Sequence, residues 1–164
     1  MKFLCLLLCL AFLSCGCAQK VEYESVQSCG TEFEYVDDVM QISLPGCAFD
    51  MVIETDTDKI YFCDGYYIST QVFQETDLNE TLQSCTGFDK DSLDLIETKS
   101  NEMVRYDCVW SSAGEGSDQI GRVAIFEQDS IHYVVSAMCA MEQYKDCAQQ
   151  WDDLFSSIQI STDQ

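Results

Sequence analysis

The chain has 164 residues, 29 acidic against 8 basic, and a formal net charge of −21 at pH 7. Nucleic acid and anionic lipid both reward Lys/Arg patches, so this balance argues strongly against either as a partner. With 47% of its residues hydrophobic, the chain can build a core, and its composition is not that of a disordered chain.

The first nineteen residues read MKFLCLLLCLAFLSCGCAQ. Lys2 precedes an apolar run from Phe3 to Leu13, and small residues and cysteines close the segment, the layout of a secretory signal. The run is too short for a bilayer core about 30 Å thick, which takes about 20 apolar residues. Residues 1–18 are therefore expected to be an export signal. Two exits compete. Ala11 to Cys15 and Leu13 to Cys17 each resemble a bacterial lipobox, in which a small residue precedes the cysteine to be lipidated. The resemblance implies a diacylglycerol thioether on Cys15 or Cys17 and a domain tethered to the outer face of a membrane. Phe12 or Ser14 stands where the lipobox usually has leucine. The other exit is cleavage after Ala18, which would release a freely secreted protein.

Residues 19–32 are polar and aperiodic and read as a flexible tether, leaving 33–161 as a single domain. Past the signal lie Cys29, Cys47, Cys63, Cys85, Cys108, Cys139 and Cys147, with Cys17 as a possible eighth. In an exported chain such a count points to disulfides of undetermined connectivity, or, in an anaerobic habitat, to free thiols filling the core. Neither C-x-x-C nor Cys/His zinc spacing occurs, so no metal site is expected.

Val39 to Leu44 alternates, with Met40, Ile42 and Leu44 on one face, and stops at Pro45-Gly46. Asp50 to Thr55 and Lys59 to Cys63 read as strands around a turn at Asp56-Thr57-Asp58. Asp64-Gly65 then makes a hairpin into a strand from Tyr66 to Phe73. At Asp77 the period changes. Asp77 caps a short helix, with Glu80 reaching back to it, Leu78, Leu82 and Cys85 on one face, and Gly87 as the stop. Strands follow at Met103 to Trp110, Ile120 to Glu127 and Ile131 to Cys139, the last two joined by a tight turn at 128–130. Tyr144, Cys147, Ala148, Trp151, Leu154, Phe155 and Ile158 recur at three- and four-residue steps, an amphipathic helix. Gln159 to Ser161 can rejoin the sheet.

This order predicts an α+β domain, a mostly antiparallel sheet covered by helices with a long C-terminal amphipathic helix. The order, the preceding hairpin, the Leu44-Pro45-Gly46 opening and the pattern from Glu142 to Ile158 resemble the PsbP-like fold, over about Phe33 to Ser161. That family includes the extrinsic subunit of photosystem II and many small exported bacterial lipoproteins. The resemblance implies a fold and a habit of docking to partners, and no functional residue. A lipocalin-like β-barrel is the alternative, although both tryptophans come late and the early Gly-x-Trp is missing. A nuclear-transport-like cone would open with its long helix, and this chain does not.

No catalytic set emerges. His132 is the single histidine and reads as a structural residue in a strand. Cysteine nucleophiles need an electropositive setting that this acidic chain does not offer. Tyr61, Tyr66, Tyr67 and Phe73 have strand spacing and read as sheet-face residues, not a sugar cleft. Asp89 to Asp94 fails as a calcium loop, with Leu93 and Asp94 where an oxygen ligand and glycine are required, and Asp56 with Asp58 fails likewise. The scattered acids read as a solvated surface. The expectation is a non-enzymatic extracytoplasmic binding module, a lipid-anchored one with an extracytoplasmic protein partner, and no cofactor. Two alternatives stand beside it: a small secreted hydrolase using paired carboxylates, and a ligand carrier with an apolar pocket.

Overall fold

A computed structural model describes residues 33–36, 39–45, 49–55, 57–100, 103–113 and 118–161. Period-two alternation does most of the building. Seven strands form one antiparallel sheet in the order β3-β4-β5-β9-β8-β7-β6: β3 (Phe49–Glu54), β4 (Asp58–Cys63), β5 (Tyr66–Gln74), β6 (Ile96–Ser100), β7 (Met103–Ser112), β8 (Gln119–Gln128) and β9 (Ile131–Ala140). The strands β1 (Phe33–Val36), β2 (Met40–Ser43) and β10 (Gln159–Ile160) make a second, three-stranded antiparallel sheet in the order β1-β2-β10. The two helices are α1 (Leu78–Thr86) and α2 (Tyr144–Ser157).

The turns follow from residue chemistry. The β4–β5 hairpin turns on Asp64 and Gly65 at φ 24° and 96°, and the β8–β9 hairpin on Asp129 and Ser130 at φ 51° and 64°. Both are two-residue turns with positive φ at both positions, whose twist matches that of paired strands. Asp77 accepts the Glu80 N–H at 2.9 Å and so caps α1. Gly87 ends the helix at φ 78°. Glu80 does not reach back to Asp77. Its carboxylate takes the Thr76 hydroxyl at 3.0 Å.

One face of the large sheet holds the main core. Tyr61, Ile68, Ala124, Tyr133, Val135 and Ala137 meet Cys147, Trp151, Leu154 and Phe155 of α2, with Met40, Ile42 and Leu44 closing the layer from the small sheet. Two arginines clamp α2 to the strands. Arg122 lies 4.4 Å over the Phe155 ring and pairs with Asp152 at 2.9 Å. Arg105 forks onto Asp107 at 2.6 and 2.8 Å and donates to the Phe155 carbonyl, near the helix C-terminus where a cation is favoured. Ser157 donates to the Leu154 carbonyl at 2.7 Å and accepts the Ser43 N–H at 2.9 Å, tying α2 to β2.

The opposite face carries a smaller core. Leu82 of α1 packs on Cys108, Val123, Ile125 and Val134, with Leu78, Cys85, Leu93 and Leu95 around it.

Two expectations need correction. The sheet is not covered by helices under a long C-terminal one. The described residues hold ten strands and two helices, α2 is 14 residues, and a second sheet covers part of the first face. A barrel is also excluded. The edges β3 and β6 lie at opposite ends of the strand order and do not pair, so the sheet stays open. Strand β6 carries no apolar period, and all five of its residues are exposed, so the pattern gives no sign of it. Among the described residues no helix is long and apolar enough to cross a membrane.

Candidate site: a groove on the uncovered half of the sheet

Strand registers set out the second face in rows. Phe62, Tyr67, Met138 and Gly121 lie opposite one another across β4, β5, β9 and β8, and Gly121 faces Trp110 on β7. The next row runs from Ile53 through Ile60, Ser69, Ser136 and Val123 to Cys108. The third takes Asp58, Gln71, Val134, Ile125 and Tyr106, and the fourth Phe73, His132, Glu127 and Val104. Helix α1 sits over the last two rows and, through Leu82, over Val123 and Cys108 of the second. At 1.5 Å per residue it is about 13 Å long, while seven strands spaced 4.8 Å apart span about 29 Å. At the β3–β5 end the first two rows stay largely uncovered, with Ile53, Phe62 and Tyr67 exposed, whereas Val123, Cys108 and Trp110 at the other end are buried.

That gap is a groove of about 320 Å³, lined by Ile53, Ile60, Tyr67, Ser84, Trp110 and Met138, with Ser69, Gln71, Cys85 and Ser136 adding polar atoms. Ser69 and Ser136 share a hydrogen bond of 2.6 Å across β5 and β9. Phe62 and Tyr67 meet at a tilt of 50° with centroids 5.0 Å apart beside it, and Ile53 and Tyr67 are 48% and 44% exposed, so apolar surface continues past the rim.

Trp110 forms one wall. Its indole lies flat on Gly121, where a Cβ would stand 2.4 Å from a ring carbon, and Phe88 packs on its other side at 6.1 Å. The indole N–H is buried and has no hydrogen-bond partner. Gly121 is in effect the seat of the tryptophan.

The groove is poor in reactive groups. Among the described residues, no carboxylate, histidine or cation lines it. Cys85 donates to the Gln71 amide oxygen at 3.6 Å, and burial pushes its thiol up to about 12, with Cys108 and Asp58 adding to the shift. A thiol held protonated at neutral pH is a poor nucleophile.

The residues weighed in the sequence are dispersed. His132 is buried beneath α1, its Nδ1 2.6 Å from the Thr81 hydroxyl. Tyr61 and Tyr66 belong to the main core, while Tyr67 and Phe73 face the other side, so the four do not line one cleft. The half-buried carboxylates are each engaged. Asp58 takes the hydroxyls of Thr55 and Thr57, Asp107 takes Arg105, and Glu127 takes the Tyr106 hydroxyl at 3.1 Å. Cys15 and Cys17 lie outside the described residues, as do Cys29 and Cys47. Among the described residues, Cys85, Cys108, Cys139 and Cys147 carry no disulfide in this structure. A second, more polar cleft of about 270 Å³ lies on the opposite side of the hairpin, between Asp64, Gly65 and Tyr66 and the α2 residues Asp146, Cys147 and Gln150.

Sequence reasoning missed the groove. Its one signal was in β9, where Ser136 interrupts a strand apolar on both faces.

No family model matches the chain, and no curated protein sequence matches it. Solved structures do. The fold is PsbP-like. Cyanobacterial PsbP (CyanoP) from Synechocystis superposes with a TM-score of 0.54 at 11% identity, over 90% of this chain and 98% of that one. The Ran-binding protein Mog1p of Saccharomyces cerevisiae gives 0.50 at 13% identity, over 81% and 96%. A Bacteroides thetaiotaomicron protein gives 0.55 at 10% identity, over 83% of this chain and 50% of that chain, so the chain spans half the length of that relative. At these identities the likeness is one of fold alone.

Proposed function

We propose that this PsbP-like domain is a non-enzymatic, extracytoplasmic binding module that docks a protein partner in the groove between α1 and the β3–β5 end of the sheet. The observation that carries it is the uncovered half-face, where Ile53, Phe62 and Tyr67 stay exposed around a built wall of Trp110 on Gly121. An apolar surface rimmed by polar residues is the usual mark of an interaction site. The volume favours a polypeptide over a carried small molecule. Ligand pockets run from about 300 to 1,000 Å³ and bury most of the ligand. This groove is at the lower end and open along one side. The yeast neighbour is a Ran-binding protein, so the same fold supports protein docking elsewhere. The leader supports placement outside the cytoplasm, tethered by a lipid on Cys15 or Cys17.

The test is site-specific photocrosslinking in the producing cell, with the probe at Tyr67 or, as a control, at the exposed Gln149 on α2. A discrete adduct at Tyr67, missing at Gln149 and lost when Ser69→Trp fills the groove, is the expected result. Equal labelling at both positions, or hydrolytic turnover that disappears with a single carboxylate variant, would overturn the proposal.

A further inference from the structure

The first turn of α2 meets the end of β9 through two sulfurs. Cys147 Sγ lies 3.6 Å from Cys139 Sγ, and both residues are buried. Two thiols in van der Waals contact at that distance need to close by about 1.5 Å to reach the S–S bond length of about 2.05 Å. Only the turn at 140–143 separates the strand from the helix, so the pair spans the junction at which α2 docks.

A route to the pair exists. The polar cleft between the β4–β5 hairpin and α2 is lined by Asp64, Gly65, Tyr66, Gln143, Asp146 and Gln150, and Cys147 forms part of its wall. Cys139 does not line that cleft and touches Cys147 from the strand side. This order, one cysteine in the wall of a polar cleft and the second in sulfur contact with it from the strand side, is the arrangement that thiol–disulfide exchange requires of an attacking and a resolving cysteine.

We propose that Cys139 and Cys147 are a redox pair that closes to a disulfide by exchange with an external low-molecular-weight disulfide entering through this cleft. The Cys147 thiolate attacks one sulfur of the external disulfide, breaking its S–S bond and releasing one thiol. Cys139, losing its proton, then attacks the Cys147 sulfur, expels the second thiol and forms the internal S–S bond. Two electrons pass from the cysteine pair to the external disulfide, and the two protons leave on the released thiols. Burial pushes both thiols up, Cys139 to about 12, with its hydrogen bond to Cys147 adding to that shift. Exchange through the cleft is therefore slow in the closed fold and quickens on local opening of α2. The pair is a staple between helix and sheet, not a turnover site.

In the cell the external disulfide depends on the export proposed above. The test uses purified full-length chain with glutathione, so the two ideas fail separately. Trypsin cuts after Arg122 and Lys145, leaving Cys139 and Cys147 each as the single cysteine of its own peptide, 123–145 and 146–164. The protein is equilibrated at increasing ratios of glutathione disulfide to glutathione, acid-quenched, blocked with N-ethylmaleimide under denaturation, and digested without reduction. The expected product is the two peptides joined, two hydrogens lighter than their sum, rising with the ratio. Cys139→Ser should instead hold glutathione on Cys147 as a trapped mixed disulfide. The oxidised wild type should melt about 5–10 °C above the Cys139→Ala/Cys147→Ala double variant. Both peptides fully blocked at the highest ratio, glutathione left on wild-type Cys147 without closure, or Cys139 joined to another cysteine would each overturn the proposal. The wild-type peptide map decides even if a variant does not fold.

Discussion

His132 shows how a residue type that suggests chemistry becomes structural through its surroundings. Its ring lies under α1, bonded to Thr81, and desolvation lowers its pKa below the ordinary 6.5, although Glu127 and Asp77 pull it upward. A depressed histidine contributes stability that is present above about pH 6.5 and is lost as pH falls towards the folded value. The wild type should therefore lose more of its urea midpoint between pH 7.5 and 5.5 than His132→Asn, which retains a partner for Thr81 and cannot titrate. Parallel loss in the two proteins would place the acid sensitivity elsewhere. Gly121 makes a steric argument at the same scale. Its missing side chain is what lets the Trp110 indole lie on the strand, and an added Cβ at 2.4 Å cannot be accommodated without moving the ring. Gly121→Ala should cost about 1–3 kcal/mol by overpacking. It should also shift tryptophan emission towards the red as the indole lifts. An unchanged spectrum and midpoint would mean that the indole has another seat.

Among the elements, α2 was the most legible in the sequence, because seven apolar residues at three- and four-residue steps leave one face to bury. Cys147, Trp151, Leu154 and Phe155 are buried as that period implies. The hairpin at Asp64-Gly65, the Asp77 cap and the Gly87 stop were readable for the same reason: each depends on local chemistry. What escaped depends on pairing. Strand β6 has no buried residue and exists only as the partner of β7, through registers such as Ile96 with Asp107. The tail at Gln159 to Ser161 can rejoin a sheet by its sequence, and β10 does so by pairing with β2 in the small sheet. The groove was invisible because it is a shortfall of cover, set by the length of α1 against the width of a sheet whose strand count the sequence did not disclose. The central anchor of α2 is Trp151, set edge-on to Tyr66 and Tyr144 with centroids 6.3 and 5.4 Å away. Trp151→Ala should cost about 3–5 kcal/mol in chemical denaturation. That is a large share of the 5–15 kcal/mol usual for a domain. A loss under 1 kcal/mol would mean that the arginine clamps, rather than the indole, hold the helix.

For the molecule as a whole, the charge bears on how the proposed leader would act. A chain with a net charge of −21 is repelled by anionic lipid headgroups, so its surface charge cannot hold it at a membrane. Membrane residence would then rest on a hydrophobic anchor, and a covalent lipid on Cys15 or Cys17 would supply about 0.8 kcal/mol for each buried CH₂. The two exits of the leader therefore predict opposite behaviours. If the lipobox-like segment is used, the native protein partitions into the detergent phase on cloud-point separation and resists extraction by high salt. Cys15→Ala/Cys17→Ala then moves it to the aqueous phase, and each single variant shows which sulfur carries the lipid. If the chain is cut after Ala18, wild type and double variant both appear in the medium with an N-terminus at Gln19, and the partner must be sought among soluble extracellular proteins. Mass measurement of the N-terminal peptide alone decides between them, because a diacylglycerol thioether and a free glutamine terminus cannot be confused. The first outcome would also orient the groove, since a partner reached by a tethered domain has to lie at that membrane surface.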